Sequence, residues 1–228
     1  MMPQLIVKTK IYFYIFLLLI LASIHNINYL DNLGNFFKIK KIILETNTQE
    51  TLKQDILHYL KKYYNKNIFH INSSEISNLS NEFSFIGEFT VKKEYPSVIK
   101  IKIKKTKILA YYFEDNQKIY IGENGKKIIY KNFVNDELPF IHGNVDIKNF
   151  LKLIKKLEIN EFKLHDFNHF YFFKSKRWDL VYKDKITIKL PINDLNNSII
   201  LLKQIFEKSN LNEIKIIDLR LKNKIIMS

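Results

Sequence analysis

The sequence predicts an α+β protein: a single N-terminal transmembrane helix, a small β-α-α-β-β domain, and a mixed β domain with flanking helices. Three observations predict it. An uncharged run, Ile11 to Leu30, follows Lys8 and Lys10 at the start of the chain. Leu52, Ile56, Leu60 and Tyr63 recur at helical spacing and form one apolar stripe. Ile99, Ile101 and Ile103 alternate with Lys100, Lys102 and Lys104, the period-two pattern of a strand with one wet face.

The run 11–30 is read as the membrane helix, because crossing a bilayer core takes about 20 mostly apolar residues. Its first part, IYFYIFLLLILASI, is strongly apolar, and its second, HNINYL, suits the outer interface with Tyr29 as an amphipathic anchor. Lys8 and Lys10 are the only charges before Asp31. The positive-inside bias therefore places residues 1–10 in the cytoplasm as a short tail and everything after the helix outside. A cleaved secretory signal peptide begins in the same way. Leu21-Ala22-Ser23 is a poor small-x-small cleavage site and the apolar stretch is long for a signal, which favours retention as an anchor.

Hydrophobic residues make up 46% of the 228-residue chain and aromatics 14%, ample for a buried core in the remaining part. The absence of cysteine removes disulfides, thiolate metal sites and thiol nucleophiles, so the exported part must be held by packing alone. The net charge of +14 raises the question of nucleic acid. The lysines are spread along strand and helix faces, and Lys, Asn and Ile abound while Gly (5) and Pro (4) are scarce, a bias AT-rich codons produce. A solvated basic face is the simpler reading. Anionic lipid is a better partner for lysines near the anchor, such as Lys38, Lys40 and Lys41.

Residues 31–36 form a polar linker, and 36–45 (FFKIKKIILE) read as a strand. Asn47 with Glu50, and Asn72 with Glu75, have capping-box spacing ahead of two helices, the second running through Leu79. Strands follow at Phe85–Tyr95, stopped by Pro96, and at 99–104. Further strands are expected at 108–114 and 117–122, with a tight turn at Asn124-Gly125 before KKIIY. Leu138-Pro139 opens a loop to Gly143, and Asp146 caps a helix with Phe150, Leu151, Ile154 and Leu157 on one face. Strands are then expected at 159–165, 169–183 and 186–190, the last stopped by Pro191. Asp194 starts a helix with the stripe Leu195, Ile199, Leu202 and Phe206. The chain closes on one strand, 214–227, kinked near Asn223.

Candidate chemistry is sparse. His165 and His169 are four apart, a zinc spacing only on a helix, and HDFNHF reads as a turn between strands. Glu114-Asp115 and Asp136-Glu137 each sit beside a turn, where solvated carboxylates are the ordinary explanation. There is no G-x-S-x-G, S-x-x-K or Gly-rich phosphate loop. Trp178 alternates with Leu180 and Tyr182, which makes it a core residue. The expectation is a protein without catalytic residues, metal or cofactor.

Seven stretches in this order resemble the FtsQ family of bacterial cell-division proteins, called DivIB in Gram-positive bacteria. They are Phe37-Lys38-Ile39-Lys40-Lys41-Ile42, Asn67-Ile68-Phe69-His70-Ile71, Val91 to Pro96, Leu138-Pro139 to Gly143, Arg177-Trp178-Asp179-Leu180, Leu190-Pro191 and Asp218-Leu219-Arg220. In Val91 to Pro96 the family's V-x-R-x-x-P has Lys93 for Arg, and its E-R-x-P-x-A is replaced by Lys105-Thr106-Lys107-Ile108-Leu109-Ala110, which keeps only the alanine. That places any contact through the Glu-Arg pair in question. The resemblance implies a POTRA domain over 31–106 and a C-terminal β domain of FtsQ type over 107–228.

It also implies a scaffold of the division machinery, in the inner membrane at the septum with its bulk in the periplasm. Such a scaffold links early and late division proteins, chiefly by binding FtsB and FtsL, and so coordinates septal peptidoglycan synthesis. A last strand with no successor offers unpaired N–H and C=O groups to a partner strand. Here that segment is Leu221, Lys222, Lys224, Ile225, Ile226 and Met227, and the lysines could meet an acidic partner. By the resemblance, partner contacts fall on Leu221 and on Arg177. Further partners are implied for the POTRA domain. Ordinary sheet completion is the competing explanation for the last strand. Rival functions are another POTRA-bearing transport or assembly factor, which would carry a long run of barrel strands, and an anchored cell-wall enzyme, which would show convergent carboxylates in a cleft.

Overall fold

The computed structural model describes residues 4–23, 34–129, 138–208, 211–221 and 224–228. Helix α1 (Gln4–Ser23) opens the chain, and the side chains from Ile11 to Leu21 are exposed. At about 1.5 Å per residue that exposed stretch rises about 16 Å, against about 30 Å for a bilayer core. Among the described residues, no helix is long and apolar enough to cross a membrane. The second part of the expected span, 24–30, lies outside the described residues.

Beyond α1 the class is α+β. The chain divides into two compact units, residues 1–79 with 89–103, and residues 80–88 with 104–228.

The first unit contains β1 (Lys41–Thr46), α2 (Glu50–Leu60) with a 3-10 turn at Lys61–Tyr63, and α3 (Ser73–Ser77). Helix α4 (Leu79–Glu82) follows, then β2 (Ile86–Glu94) and β3 (Val98–Lys105), in sheet order β1-β3-β2 with β1 parallel to β3. Leu52, Ile56, Leu60 and Tyr63 are all buried, as are Ile99, Ile101 and Ile103, so both periodicities hold. The first strand starts later than expected, at Lys41 rather than Phe36. Residues just before it bond to a loop instead: Ile39 N–H donates to Lys66 C=O (3.0 Å) and Ile68 N–H to Phe37 C=O (2.9 Å). Asn72 caps α3, accepting from Ser74 N–H. Asn47 caps nothing, because α2 begins after Gln49, whose side chain makes no capping bond. Lys93, which stands where the family has arginine, donates from Nζ to Ile71 C=O (2.6 Å).

The second unit is a nine-stranded sheet of order β12-β11-β10-β9-β8-β7-β4-β5-β6. Its strands are β4 (Ile108–Glu114), β5 (Gln117–Gly122), β6 (Lys127–Ile128), β7 (Phe140–His142), β8 (Phe167–Phe172), β9 (Trp178–Tyr182), β10 (Ile186–Lys189), β11 (Ile216–Asp218) and β12 (Ile226–Met227). Helices α5 (Ile147–Ile159) and α6 (Leu195–Lys208) supply Phe150, Ile154, Leu157, Ile199 and Leu202 to a core shared with Ile141, Phe170, Leu180, Ile188 and Ile217. Asp146 caps α5, accepting from Asn149 N–H (3.1 Å). Leu151 is only partly buried, and Leu153 fills the core beside it.

Four expectations are corrected here. The loop Leu138 to Gly143 contains β7, which pairs in parallel with both β4 and β8. Residues 159–165 form no strand; α5 runs to Ile159 and a 3-10 turn spans Leu164–Asp166. The expected strand 169–183 is a hairpin, because Lys176 takes a left-handed φ of 63° and turns β8 back into β9. The last strand, 214–227, is two short strands: β12 folds back antiparallel onto β11. The expected kink at Asn223 lies outside the described residues, as does Asp136-Glu137.

Where the family's Glu-Arg pair is missing, Thr106 is buried and its Oγ1 accepts from Asn124 N–H (3.2 Å). Asn124 Nδ2 donates to Ser84 C=O and Ile86 C=O, both at 2.9 Å. Gly87 fits here because a Cβ would come within 2.9 Å of the Thr106 Cα.

Candidate partner-binding edge

The sheet's open face carries two matched rows. One runs Tyr111–Phe140–His169–Val181–Thr187–Ile216 across five pairings, and the other His142–Tyr171–Asp179–Lys189–Asp218–Ile226. Towards β4 the face is aromatic, with Tyr111 and Phe140 at 5.2 Å and His142 stacked on Tyr171 at 4.1 Å. His169 Nδ1 lies 3.2 Å from His142 Nε2. His165 is in the 3-10 turn, so the spacing of four is not presented on a helix. Among the described residues no group of three or more His, Asp or Glu could hold a metal.

Towards β12 the same face is charged. Lys189 stands in register between Asp179 and Asp218, whose residues are 6% and 8% exposed. Arg220 Nε donates to both Asp218 oxygens (2.8 and 2.9 Å) and its backbone N–H to Oδ1 (3.0 Å). Those bonds from Arg220 hold the Asp218 carboxyl below its ordinary value, outweighing burial. Asp179 goes the other way. Burial pushes its carboxyl up, although Arg177, Lys189 and Arg220 oppose the shift and Arg177 Nε donates to it at 3.2 Å.

Arg177 precedes β9 and lies over the Phe173 ring at 4.3 Å. A cleft of about 800 Å³ opens beside it, walled by Pro191, Ile192, Asn193 and Asp194 on the turn into α6, by Leu201 on α6, and by Leu219, Arg220, Leu221 and Lys224 after β11. Of the residues singled out in the sequence, the cleft thus brings together Arg177, Leu221 and Lys224. Ile225, Ile226 and Met227 are exposed on or beside the sheet edge and do not line it. Lys222 lies outside the described residues. Sequence reasoning missed Arg220, the 191–194 turn and Leu201; the pairing of Arg220 with Asp218 two residues back is the signal that could have found the first. Asp194 is the one carboxylate among the described lining residues, and its Oδ1 accepts from Asn197 Nδ2 at 2.6 Å at the start of α6.

The β12 edge is short and polarised. Ser228 N–H donates to Ile216 C=O (3.2 Å) and Ile216 N–H to Ser228 C=O (2.9 Å), a hydrogen-bonded pair. Antiparallel pairing alternates, so Met227, opposite Ile217, directs its backbone N–H and C=O away from β11.

Residues 37–105 match the model for the POTRA domain of FtsQ type, and residues 110–220 match that for the C-terminal domain of cell division protein FtsQ/DivIB. The chain belongs to the FtsQ/DivIB family. It is 28% identical over 193 residues to the cell division protein FtsQ of Rickettsia bellii, covering 82% of this chain and 71% of that protein. The cell division protein DivIB of Clostridium tetani is 28% identical over 111 residues, covering 47% and 41%. The solved extracytoplasmic domain of Geobacillus stearothermophilus DivIB is 12% identical with a TM-score of 0.33, covering 47% of this chain and 99% of that one, a likeness too low to argue from. As a member of the FtsQ/DivIB family the chain has a role in cell division, alongside other proteins of the division machinery, in a family not known for enzymes.

Proposed function

We propose that this chain is a membrane-anchored, non-catalytic scaffold of the division machinery that takes a strand of FtsB, in its pair with FtsL, onto the β12 edge. The observation that carries the reading is the conjunction at one end of the sheet of a free strand edge and a cleft rimmed by Arg177, Arg220 and Lys224. Strand addition supplies backbone bonds at Met227, and the cleft supplies a cationic, partly apolar seat for side chains beside the added strand. Lys222 belongs to the same proposed partner-binding segment of the sequence. The POTRA domain, 31–106, and the C-terminal domain, 107–228, then act as successive extracytoplasmic modules. The anchor is the span 11–30, beginning within α1, with residues 1–10 in the cytoplasm and the rest in the periplasm at the septum.

The test is binding of the FtsB/FtsL extracytoplasmic segment to the full chain in nanodiscs. Met227→Pro removes an outward-facing donor while leaving the β11–β12 bonds in place, and Leu221→Asp puts an acid at the cleft. Loss of binding by about 30-fold or more in each, with unchanged circular dichroism, supports the reading. Tight binding by both variants sinks the C-terminal interface.

A further inference from the structure

Four aromatic rings of the first unit form a continuous ladder outside its core. Phe36 meets Phe37 edge-on at 5.2 Å, Phe37 meets Phe69 at 4.9 Å, and Phe69 stacks on Tyr95 at 5.0 Å with an interplanar angle of 23°. Phe36, Phe69 and Tyr95 are 53%, 54% and 57% exposed, so three of the four residues present about half their surface to solvent. They come from three separate segments: the turn before β1, the loop after α2, and the connection between β2 and β3. Those segments converge in the chain's path, since Lys38 bridges Asn67 and Lys40 N–H donates to Ser97 C=O (2.9 Å).

The ionisable residues of the three segments are unbalanced. Residues 34–41, 64–70 and 92–97 carry Lys38, Lys40, Lys41, Lys66, Lys92 and Lys93 against the single carboxylate Glu94, with His70 besides. Glu94 itself sits 3.6 Å from Lys92. Exposed aromatic rings amid lysines fit the headgroup layer of an anionic bilayer, where rings take the apolar boundary and each lysine near the surface adds about five-fold to partitioning. The ladder is also close to the apolar helix along the chain. Between Leu21 and Phe36 lie only residues 22–35, whose fully extended reach is about 50 Å, which keeps the ladder at high effective concentration near any membrane holding α1.

We propose that this aromatic ladder with its lysines seats the first unit flat against an anionic lipid surface. The proposal rests on the anchoring part of the function proposed above, and the two are separable by experiment. The chain has no cysteine, so a single one can be introduced cleanly. The full chain carrying His70→Cys, labelled with an environment-sensitive fluorophore, is reconstituted into vesicles of phosphatidylcholine alone or with phosphatidylglycerol, each doped with brominated lipid. Lys174→Cys in the second unit is the reference site. The expected result is at least about two-fold more quenching at 70 than at 174, only in anionic vesicles, and its loss in Phe69→Ser/Tyr95→Ser and reduction in Lys38→Gln/Lys40→Gln, which keeps every ring. Quenching at 70 equal to that at 174 in anionic vesicles overturns the proposal. Vesicle flotation after a carbonate wash reads the anchor alone. Binding that the wash removes, yet that needs anionic lipid and the ladder, keeps this proposal and sinks the anchor, and no binding to anionic vesicles at low salt sinks both.

Discussion

The nine-stranded sheet ends in two strands of equal length finished in opposite ways. At β6, Ile128 is fully buried and Lys127 Nζ is held by both oxygens of Glu114 at 3.0 and 2.8 Å. That edge is short, charged and anchored from beneath, the usual protection against unwanted pairing. At β12, Ile226 and Met227 are 51% and 47% exposed, Ile225 and Leu221 are exposed beside them, and two arginines and Lys224 stand at the adjoining cleft. An edge whose apolar side chains face water contributes little to its own fold. The contrast teaches that shortness alone does not disarm an edge. What matters is whether its side chains are used up inside the molecule.

Substitutions that interchange the two finishes test that contrast. The largest effect is expected for Ile128→Ala, which empties a fully buried site and should cost about 2–5 kcal/mol in denaturant unfolding while leaving partner binding unchanged. Ile226→Ser should do the reverse. Stability should move by less than about 0.5 kcal/mol, as for most exposed positions, while binding weakens by about 2 kcal/mol or more if β12 is an anchor point. Equal loss of stability at both edges would abolish the distinction.

Smaller effects follow from the charged row beside β12. Asp218→Asn removes the negative charge and one of the two oxygens that accept from Arg220, and should cost about 1–3 kcal/mol at neutral pH. Because the folded Asp218 titrates below its ordinary value, its contribution is complete above that ordinary value and is lost as pH falls through the lower folded one. Asp179 has the opposite sign. Its folded carboxyl titrates above the ordinary value, so its ionised form is a penalty at neutral pH that mild acidification relieves. Asp179→Asn should therefore leave neutral-pH stability unchanged or raised and remove the gain on acidification, measured by unfolding between pH 3 and pH 7, with the limits set by ordinary carboxylate values of about 4. The smallest effect is expected for Lys127→Ala, under about 1 kcal/mol, because its pair with Glu114 is exposed and screened by salt.

Much of this was legible in the residues themselves. Period-two alternation at Ile99, Ile101 and Ile103, helical stripes through Ile56 and Ile199, and the caps Asn72 and Asp146 are local signals, and each specifies its element without help from distant parts of the chain. The family signature worked for the same reason, as an ordered set of short stretches. Where several β-rich stretches abut, local pattern failed. Residues 169–183 and 214–227 each read as one strand with only a short polar break, Lys174-Ser175-Lys176 in the first and Lys222-Asn223-Lys224 in the second, yet each folds back on itself, the first at the left-handed Lys176 and the second between Asp218 and Ile226. β7 was hidden for a related reason: three residues after a proline make a strand only because β4 and β8 present edges on both sides.

The candidate edge divides along the same line. Composition and order determined that a basic, apolar C-terminal segment would follow the Asp218-Leu219-Arg220 stretch. Only tertiary structure decided that Arg177, forty-four positions before Leu221 in the numbering, would share a cleft with it, and that Asp179, Lys189 and Asp218 would stand in one row. The reason is physical. Helical and strand periodicities are set by neighbours a few residues apart, whereas register across a sheet is chosen by the joint burial of strands far apart in sequence, and it is register that assembles a surface.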